Sequence, residues 1–387
     1  MPSVVRFGDK AQQIDADPSR LDVAFEGPPG LPTDRVVQAV RAALESPVGF
    51  PGLSAAVVPG DKVALALGDR LPSAREVLAA VVGILTDGGI DPGAITAVAP
   101  SLPEGGWGAI LPEGVAGVVH DPDDDTANAY LAATSTERRI YLNQALIDAD
   151  FVLPIGVFGV DPSLGLGGPW SALFPGLAGA ESRKVDARPE AAVVEVGEVG
   201  WLLGVQLQLG LLPGVEGLAD ALAGTADGLR AAGETAIASR WTARSPRRSA
   251  VVVAGIGGPG RSATLEDLAR GLSTAAALCR RGGKIVALSE VGGPLGPALS
   301  MLAANEGRSL PREARAHADG PAAQAVANAL AWADVYLLSR LDEQVVEDLG
   351  IIALAAPTEA ARLARSAESL AIVSQADRAG ATALEDD

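Results

Sequence analysis

Histidine and cysteine are nearly missing from this 387-residue chain: it holds only two histidines, His120 and His317, and one cysteine, Cys279. One cysteine excludes an intramolecular disulfide framework and any cysteine-cluster metal site. Two distant histidines exclude a histidine-rich metal motif, and no H-E-x-x-H or G-x-S-x-G occurs. Aromatic residues are 4% of the chain, so its cores are built from Ala, Val, Leu and Ile, within an apolar content of 48%. No apolar run is long enough to span a bilayer. The most apolar stretch, FVLPIGVFGV, is broken by Pro154 and by glycines. The first twenty residues contain no apolar signal core, so a soluble cytoplasmic protein is expected. The net charge of −18 argues against nucleic acid or an anionic membrane as partner, since both need a positive surface.

What the chain does have is an alternation of strand and helix patterns, the mark of parallel α/β sheets. DKVALALGD is a buried-strand pattern ending at Asp69. Ser73 and Glu76 have the spacing of a capping box, and REVLAAVVGILTDGG then reads as a helix stopped by glycines. ITAVAPS is the next strand, completing a right-handed βαβ unit. A short strand around Gly117–His120 leads into the acidic turn DPDDD, then a helical stretch with LNQALIDAD and the strand FVLPIG. The segment GVDPSLGLGGPWSALFPGLAG is too rich in glycine for a core element and is expected to lie over a cleft. AAVVEVGEVGWLLGVQLQ is expected to form strands, and ADALAGTADGLRAAGETAIAS a helix.

The polar, basic stretch around 238–249 divides the chain into domains of residues 1–240 and 241–387. Alternation then restarts. AVVVAGI is a strand, Thr264 and Asp267 cap the following helix, and GGKIVALSEV is a strand. Residues 322–333 are helical, ADVYLLSRL is a strand, PTEAARLARSAESL is a helix and AIVSQ the last strand. The AGATALEDD tail is expected to fray.

Two places suggest ligand contacts. Gly255-Ile-Gly257-Gly258-Pro-Gly260 matches G-x-G-x-x-G after a strand and before a capped helix. Such a turn lets a phosphate approach backbone N–H groups, with Glu290 placed to hold a ribose. Pro259, however, removes one N–H, and a glycine turn that only lines a cleft is the competing reading. Asp69 and Arg70 follow the first strand at its carboxyl end, where open α/β sheets bind ligands. Arg70 there is suited to clamp a carboxylate or phosphate, whereas Arg75 reads as a solvated helix residue. The acidic run 121–125 matches no calcium loop and reads as a solvated turn. His120 reads as a structural residue at its strand end, and His317 as exposed.

Taken in order, these pieces resemble the nickel-dependent lactate racemase family over nearly the whole chain. GDKVALALGD resembles the strand before that family's D-x-T-R-P turn, here shortened to Asp69-Arg70-Leu-Pro72. GVDPSLGLGGPWSALFPGLAG resembles its P-H-x-x-x-G-x-S-G-G-x-K-x-x-x-P-G loop, and VVVAGIGGPG…GGKIVALSEVGG the start of its C-terminal domain. The resemblance implies a two-domain α/β fold, each domain a largely parallel sheet with flanking helices, and a cleft between them. It further implies an isomerase that racemises or epimerises 2-hydroxy acids. A nickel-pincer nucleotide tethered to a lysine would take the hydride, and histidines would serve as acid, base and metal ligand. This chain departs at each of those places. Pro103 or a neighbour stands at the first catalytic histidine, and Val160-Asp161-Pro162 replaces Pro-His. Trp170 or Ser171 falls at the tethering lysine, and Lys184 is out of register. Gln324 matches the family's glutamine in the C-terminal domain.

The reading is therefore a lactate racemase-like scaffold without the catalytic histidines and tethering lysine, whose cleft binds a small anion or a nucleotide. Asp69, Arg70, Trp170, Ser171, Gly255, Gly257, Gly258, Gly260 and Gln324 are its candidate ligand contacts, and no metal ligand is assigned. The alternative is an active racemase, epimerase or other cleft enzyme using a nucleotide bound without a covalent link. In it Asp161 or Glu104 would supply acid–base chemistry.

Overall fold

The computed structural model describes residues 3–161, 164–183, 188–260 and 262–384. The chain forms two compact units, residues 29–237 and residues 1–28 with 238–387. A single boundary at 240 does not describe the first 28 residues, because the strand Leu21–Phe25 pairs in parallel with Leu370–Val373.

The unit of residues 29–237 is built on a six-stranded sheet. Its order is Leu218–Gly224, Gln208–Pro213, Phe151–Val157, Val63–Leu67, Ile95–Ala99 and Ala116–Val119. All neighbours run parallel except the Gln208–Pro213 and Leu218–Gly224 pair. Every residue of Val63–Leu67 is buried, as an apolar run in a parallel strand covered on both faces requires. The helix Ala74–Asp87 packs Val77, Leu78, Val81 and Leu85 into this core, and the helix Thr33–Glu45 packs Val36, Val40 and Leu44. The strands before and after Val63–Leu67 in the sheet order go to opposite sides of it. Ile95–Ala99 and Ala116–Val119 lie on one side, and Phe151–Val157 and Gln208–Pro213 on the other. The boundary between Val63–Leu67 and Phe151–Val157 is thus a topological switch point.

The other unit has a second six-stranded sheet, wholly parallel. Its order is Ile352–Ala353, Asp334–Leu338, Cys279–Leu288, Ser249–Gly255, Leu370–Val373 and Leu21–Phe25. The helix Leu265–Leu278 starts with a capping box in which Thr264 Oγ1 accepts from the Asp267 N–H and Asp267 from the Thr264 N–H. An antiparallel hairpin, Ser3–Phe7 and Lys10–Ile14, buries Val5, Phe7 and Ile14 in the same core.

Local pattern and structure part company at several points. The residues read as strands from 191 to 208 form the helix Pro189–Leu202 and only then the strand Gln208–Pro213. Ala192, Val196 and Val199 are buried at helical spacing, while Glu195 and Glu198 reach Arg138 and Ser135. Tertiary burial outweighs the strand preference of valine here. Residues 219–239, read as one helix, divide into the strand Leu218–Gly224 and the helix Ala226–Arg240. LNQALIDAD divides likewise, into the end of the strand Arg139–Asn143 and the short helix Gln144–Ile147. The glycine-rich segment is a core element after all. Strands Gly159–Asp161 and Gly165–Gly167 pair, and the helix Pro169–Leu173 buries Trp170, Ala172 and Leu173. The tail is tied down, since Gly380–Ala383 pairs with Thr242–Ser245. Ser73 does not cap its helix. Its backbone is left-handed, with φ +50°, and its Oγ instead accepts from the Leu218 N–H.

Candidate functional site

The carboxyl ends of Val63–Leu67 and Phe151–Val157 open onto a cavity of about 410 Å³ at the switch point. Open α/β sheets place ligands at such a point, because neighbouring connections leave the sheet in opposite directions there. Gly68, Asp69 and Pro100 form one wall, and Gly156, Val157 and Asp161 another. Gly168, Ser171, Ala172, Pro175, Gly176 and Arg183 complete it. Gly156 is required, because a Cβ on it would stand 2.6 Å from the Gly168 carbonyl oxygen. Its absence of a side chain lets the helix Pro169–Leu173 start directly against the strand.

Three charged side chains face the cavity. Asp69 accepts from Arg70 Nε at 3.1 Å and from Ser101 Oγ at 3.0 Å. Arg70 has a left-handed backbone, with φ +48°, and is strained as a non-glycine residue there. Its side chain is 65% exposed and pairs with Asp69 rather than lining the cavity. Asp161 accepts from the Leu164 N–H at 3.0 Å, and its charge acts on Arg230. Burial lowers the pKa of Arg230, while the charges of Glu234, Asp227 and Asp161 raise it. Arg183 is the third charged side chain. The loop after the helix Pro169–Leu173 delivers it, and among the described residues it forms no ion pair. Its neighbour Lys184 lies outside the described residues, as does Pro162.

The two residues at the tether register differ in placement. Ser171 lines the cavity, and its Oγ both accepts from the Gly168 N–H and donates to the Gly168 carbonyl. Trp170 is buried behind the wall, with Nε1 donating to the Leu166 carbonyl at 3.2 Å. No imidazole lines the cavity. His120 is buried, its Nε2 3.0 Å from the Ala178 carbonyl and its Nδ1 3.3 Å from Asn143 Nδ2. His317 belongs to the other unit.

The glycine turn also lies in that other unit, at the switch point between Ser249–Gly255 and Leu370–Val373. Two of its backbone donors are already engaged. The Gly257 N–H donates to Asp377 Oδ1 at 2.8 Å and the Gly260 N–H to Asp9 Oδ1 at 2.8 Å. The N-terminal hairpin reaches the same turn, with Gly8 N–H donating to the Gly257 carbonyl. A Cβ on Gly255 would meet the Arg6 carbonyl oxygen at 2.0 Å, and one on Gly258 would lie 3.2 Å from Gln375 Oε1. These glycines therefore admit the chain's own hairpin and carboxylates. Glu290, the residue matched to a ribose, instead joins Lys10 at 3.0 Å and Arg340 at 2.5 Å. Gln324, partly exposed on the helix Gly320–Trp332, donates to Asn328 Oδ1.

In the acidic run 121–125, Asp121 and Asp124 accept from the N–H groups of Asp123 and Thr126, the bonding of a capped turn. Among the described residues no group of three or more His, Cys, Asp or Glu side chains is arranged to hold a metal ion. Nor is any described helix long and apolar enough to cross a membrane.

Arg183 was missed from sequence because nothing local distinguishes it. It follows a Pro-Gly turn in a polar stretch, and only the path of the loop from Pro175 brings it to the cavity.

These two sheets and the matched sequence define a class, α/β proteins with a lactate racemase N-terminal domain. The model of that domain matches residues 7–186. Residues 7–186 are thus similar to the lactate racemase N-terminal domain. The fold of the chain is similar to the lactate racemase apoprotein from Thermoanaerobacterium thermosaccharolyticum, with a TM-score of 0.77 and 15% identity over 98% of this chain and 100% of that one. It is also similar to a protein of known crystal structure from Thermotoga maritima, with a TM-score of 0.59 and 14% identity over 92% and 99% of the two chains. Comparison with curated proteins gives no match.

Proposed function

We propose that this chain is a ligand-binding member of the lactate racemase family that does not racemise by the nickel route. Its ligand is a small anion bearing a carboxylate or phosphate, held in the switch-point cavity of residues 29–237. The observation that carries this reading is the charge arrangement. Asp69 is offset by Arg70 and Asp161 by the charge of Arg230, so Arg183 is the cation left facing the cavity. A guanidinium there offers two parallel N–H donors to a carboxylate or phosphate. Backbone from Gly68, Gly156, Gly168 and Gly176 forms much of the remaining wall.

These groups do not fit a tethered nickel-pincer nucleotide. That group needs a lysine amine to anchor it and an imidazole to complete the metal. The tether register holds Trp170, whose indole is buried and bonded, and Ser171, whose hydroxyl is committed to Gly168. The cavity offers carboxylate and guanidinium in place of imidazole.

A second reading has one observation in its favour: the carboxylates of Asp69 and Asp161 both face the cavity. Two carboxylates on one site are a possible acid–base pair for a cleft enzyme with a nucleotide bound without a covalent link.

The test is purification from cells that make the nickel cofactor, followed by metal analysis and intact mass. Absence of nickel and an unmodified mass are expected; stoichiometric nickel or an added nucleotide mass overturns the reading. Titration calorimetry with L-lactate, inorganic phosphate and nicotinamide mononucleotide then tests the anion site. Binding of at least one, lost in Arg183→Ala, is expected. Binding unchanged by that substitution, or no binding of any probe, removes Arg183 from the proposal. Racemisation of lactate by the metal-free protein would favour the carboxylate pair.

A further inference from the structure

His120 stands at the carboxyl end of the edge strand Ala116–Val119, 3% exposed, where three elements meet. Its backbone N–H donates to the Ala99 carbonyl, which fixes the residue to the neighbouring strand. The ring then reaches two other pieces of chain. The Ala178 carbonyl can only accept, so Nε2 carries the proton and donates to it. Nδ1 is then the acceptor for Asn143 Nδ2, and Asn143 Oδ1 in turn accepts from the Ala145 N–H.

Ala178 sits within the segment that walls the cavity. Pro175 and Gly176 precede it and Arg183 follows it, and all three line the cavity. One side of this segment is zipped to the strand Arg139–Asn143. Asn143 donates to Leu177, Gly179 donates to Tyr141, and Ser182 Oγ accepts from the Tyr141 N–H. The segment is further held by the Ala180 N–H, which donates to the Pro122 carbonyl, by Arg138, which donates to the Ser182 carbonyl and lies over the Phe174 ring, and by the His120 ring at Ala178. The charges facing the ring are Arg183, from the segment itself, and Asp121, the next residue in the chain.

We propose that His120 is a positioning residue for the cavity, a latch whose neutral ring holds the 174–183 wall, and with it Arg183, against the sheet. The neutral form is required by geometry. Protonation at Nδ1 would turn the acceptor for Asn143 into a second donor facing an N–H₂ group, inside a dry junction. Burial, the largest influence, lowers the pKa of His120, as does Arg183; the Ala178 carbonyl and Asp121 oppose them. As pH falls the ring therefore stays neutral to below its ordinary range; once charged, it loses the Asn143 contact and leaves a buried charge beside Arg183, and these together favour the open wall over the bond that Nε2 still makes to Ala178. The link to ligand binding rests on the anion reading given above; the latch itself does not.

The chain suits a direct test, because its only two histidines give two imidazole C2–H resonances in a proton spectrum. Titration of both is followed together with hydrogen exchange of the 174–183 amides, in the wild type and in His120→Gln and His120→Phe. Glutamine keeps an N–H₂ donor for Ala178 and cannot titrate; phenylalanine fills the space without a donor. In the wild type, exchange over 174–183 is expected to rise about tenfold as the His120 signal titrates, the equivalent of one lost buried partner. Exchange in Val63–Leu67 is expected to stay constant. The step is expected to vanish in His120→Gln, and His120→Phe is expected to exchange fast at every pH. A wild type in which 174–183 ignores His120 titration overturns the proposal, as does a His120→Gln protein that keeps the step. A loss of protection spread equally over the sheet also overturns it, since the ring would then hold the fold and not the wall. None of these readouts uses a ligand, so a failed latch and a failed anion site are told apart.

Discussion

Arg230 stacks on Trp170, with its guanidinium carbon 4.3 Å from the ring centroid. The indole's other neighbour is Phe158, with ring centroids 6.1 Å apart. Trp170 is thereby a buried support for the helix that walls the cavity. Trp170→Ala should cost about 3–5 kcal/mol of stability, the range for truncating a buried aromatic side chain. Arg230→Ala should cost about 0.5–2 kcal/mol through loss of the cation–π contact. Urea denaturation of both single variants and the double variant measures the coupling. Strictly additive losses would show that the stack contributes nothing of its own.

Two serine/threonine positions before helices should behave differently. Thr264→Ala removes a side chain that accepts from the Asp267 N–H, so a loss of about 1 kcal/mol is expected. Ser73→Ala leaves the helix Ala74–Asp87 untouched, because Ser73 bonds Leu218 and not its own helix. Its loss should appear as faster exchange at the Leu218 amide, with helix protection unchanged.

At the glycine turn, neighbouring substitutions should diverge. Gly255→Ala would drive a methyl group into the Arg6 carbonyl, 2.0 Å away, and should dislodge the N-terminal hairpin. Gly260→Ala meets nothing within 4 Å and bears only its φ of +66°, so a cost of about 1 kcal/mol is expected. Circular dichroism melts and cleavage after Lys10 by trypsin read the two effects. Equal melting points would contradict the assignment of Gly255 to hairpin packing.

Acid should destabilise the fold in two stages. His120 has a lowered pKa, so the unfolded chain binds its proton more readily than the folded one. Its contribution is present in full above the ordinary value of 6.5 and fades as pH falls through the folded pKa. Glu290 is also lowered, first by its bonds to Lys10 and Arg340; its contribution is present above the ordinary 4.5 and fades as pH falls further. Stability measured in urea should therefore decline on acidification from neutral pH. His120→Gln should flatten the upper part of that decline and Glu290→Gln the lower. A flat profile between pH 7 and 5 in the wild type would contradict the His120 assignment.

Cys279 should be inert. It is fully buried, and burial pushes its thiol up to about 12. A disulfide reagent at pH 8 should find no reactive thiol in the native protein and one equivalent in guanidinium chloride. Rapid native reaction would mean that the strand Cys279–Leu288 opens readily.

Much of the fold was legible because it is written in local signals. The apolar run before Asp69, the glycines after the helix Ala74–Asp87, and the Thr264 cap each depend on residues within a few positions of one another. The helix Pro189–Leu202 was not legible. Its valines favour strands, and only their burial at positions 192, 196 and 199 selects the helix. Of the residues that line the cavity, Asp69 and Ser171 had been singled out by the strand-end rule and by the resemblance. Arg183 was not, because its role depends on a loop path and not on its neighbours in the chain.

The two scarce histidines show where the division falls. By itself, the sequence determined that no imidazole follows His120 before His317, that two largely parallel α/β sheets form, and that residues 7–186 match the lactate racemase N-terminal domain. Those facts rest on composition and short-range pattern. Tertiary structure alone decided which groups meet. It brought Asp377 to the Gly257 N–H across 120 positions and set the Ala178 carbonyl on His120 across 58. It also brought Arg183 to a cavity of which one wall, at Gly68 and Asp69, is 115 and 114 residues away in the chain. Hydrogen bonds and charges act over a few ångströms of space, and sequence separation carries no record of which distant residues the fold brings within that range.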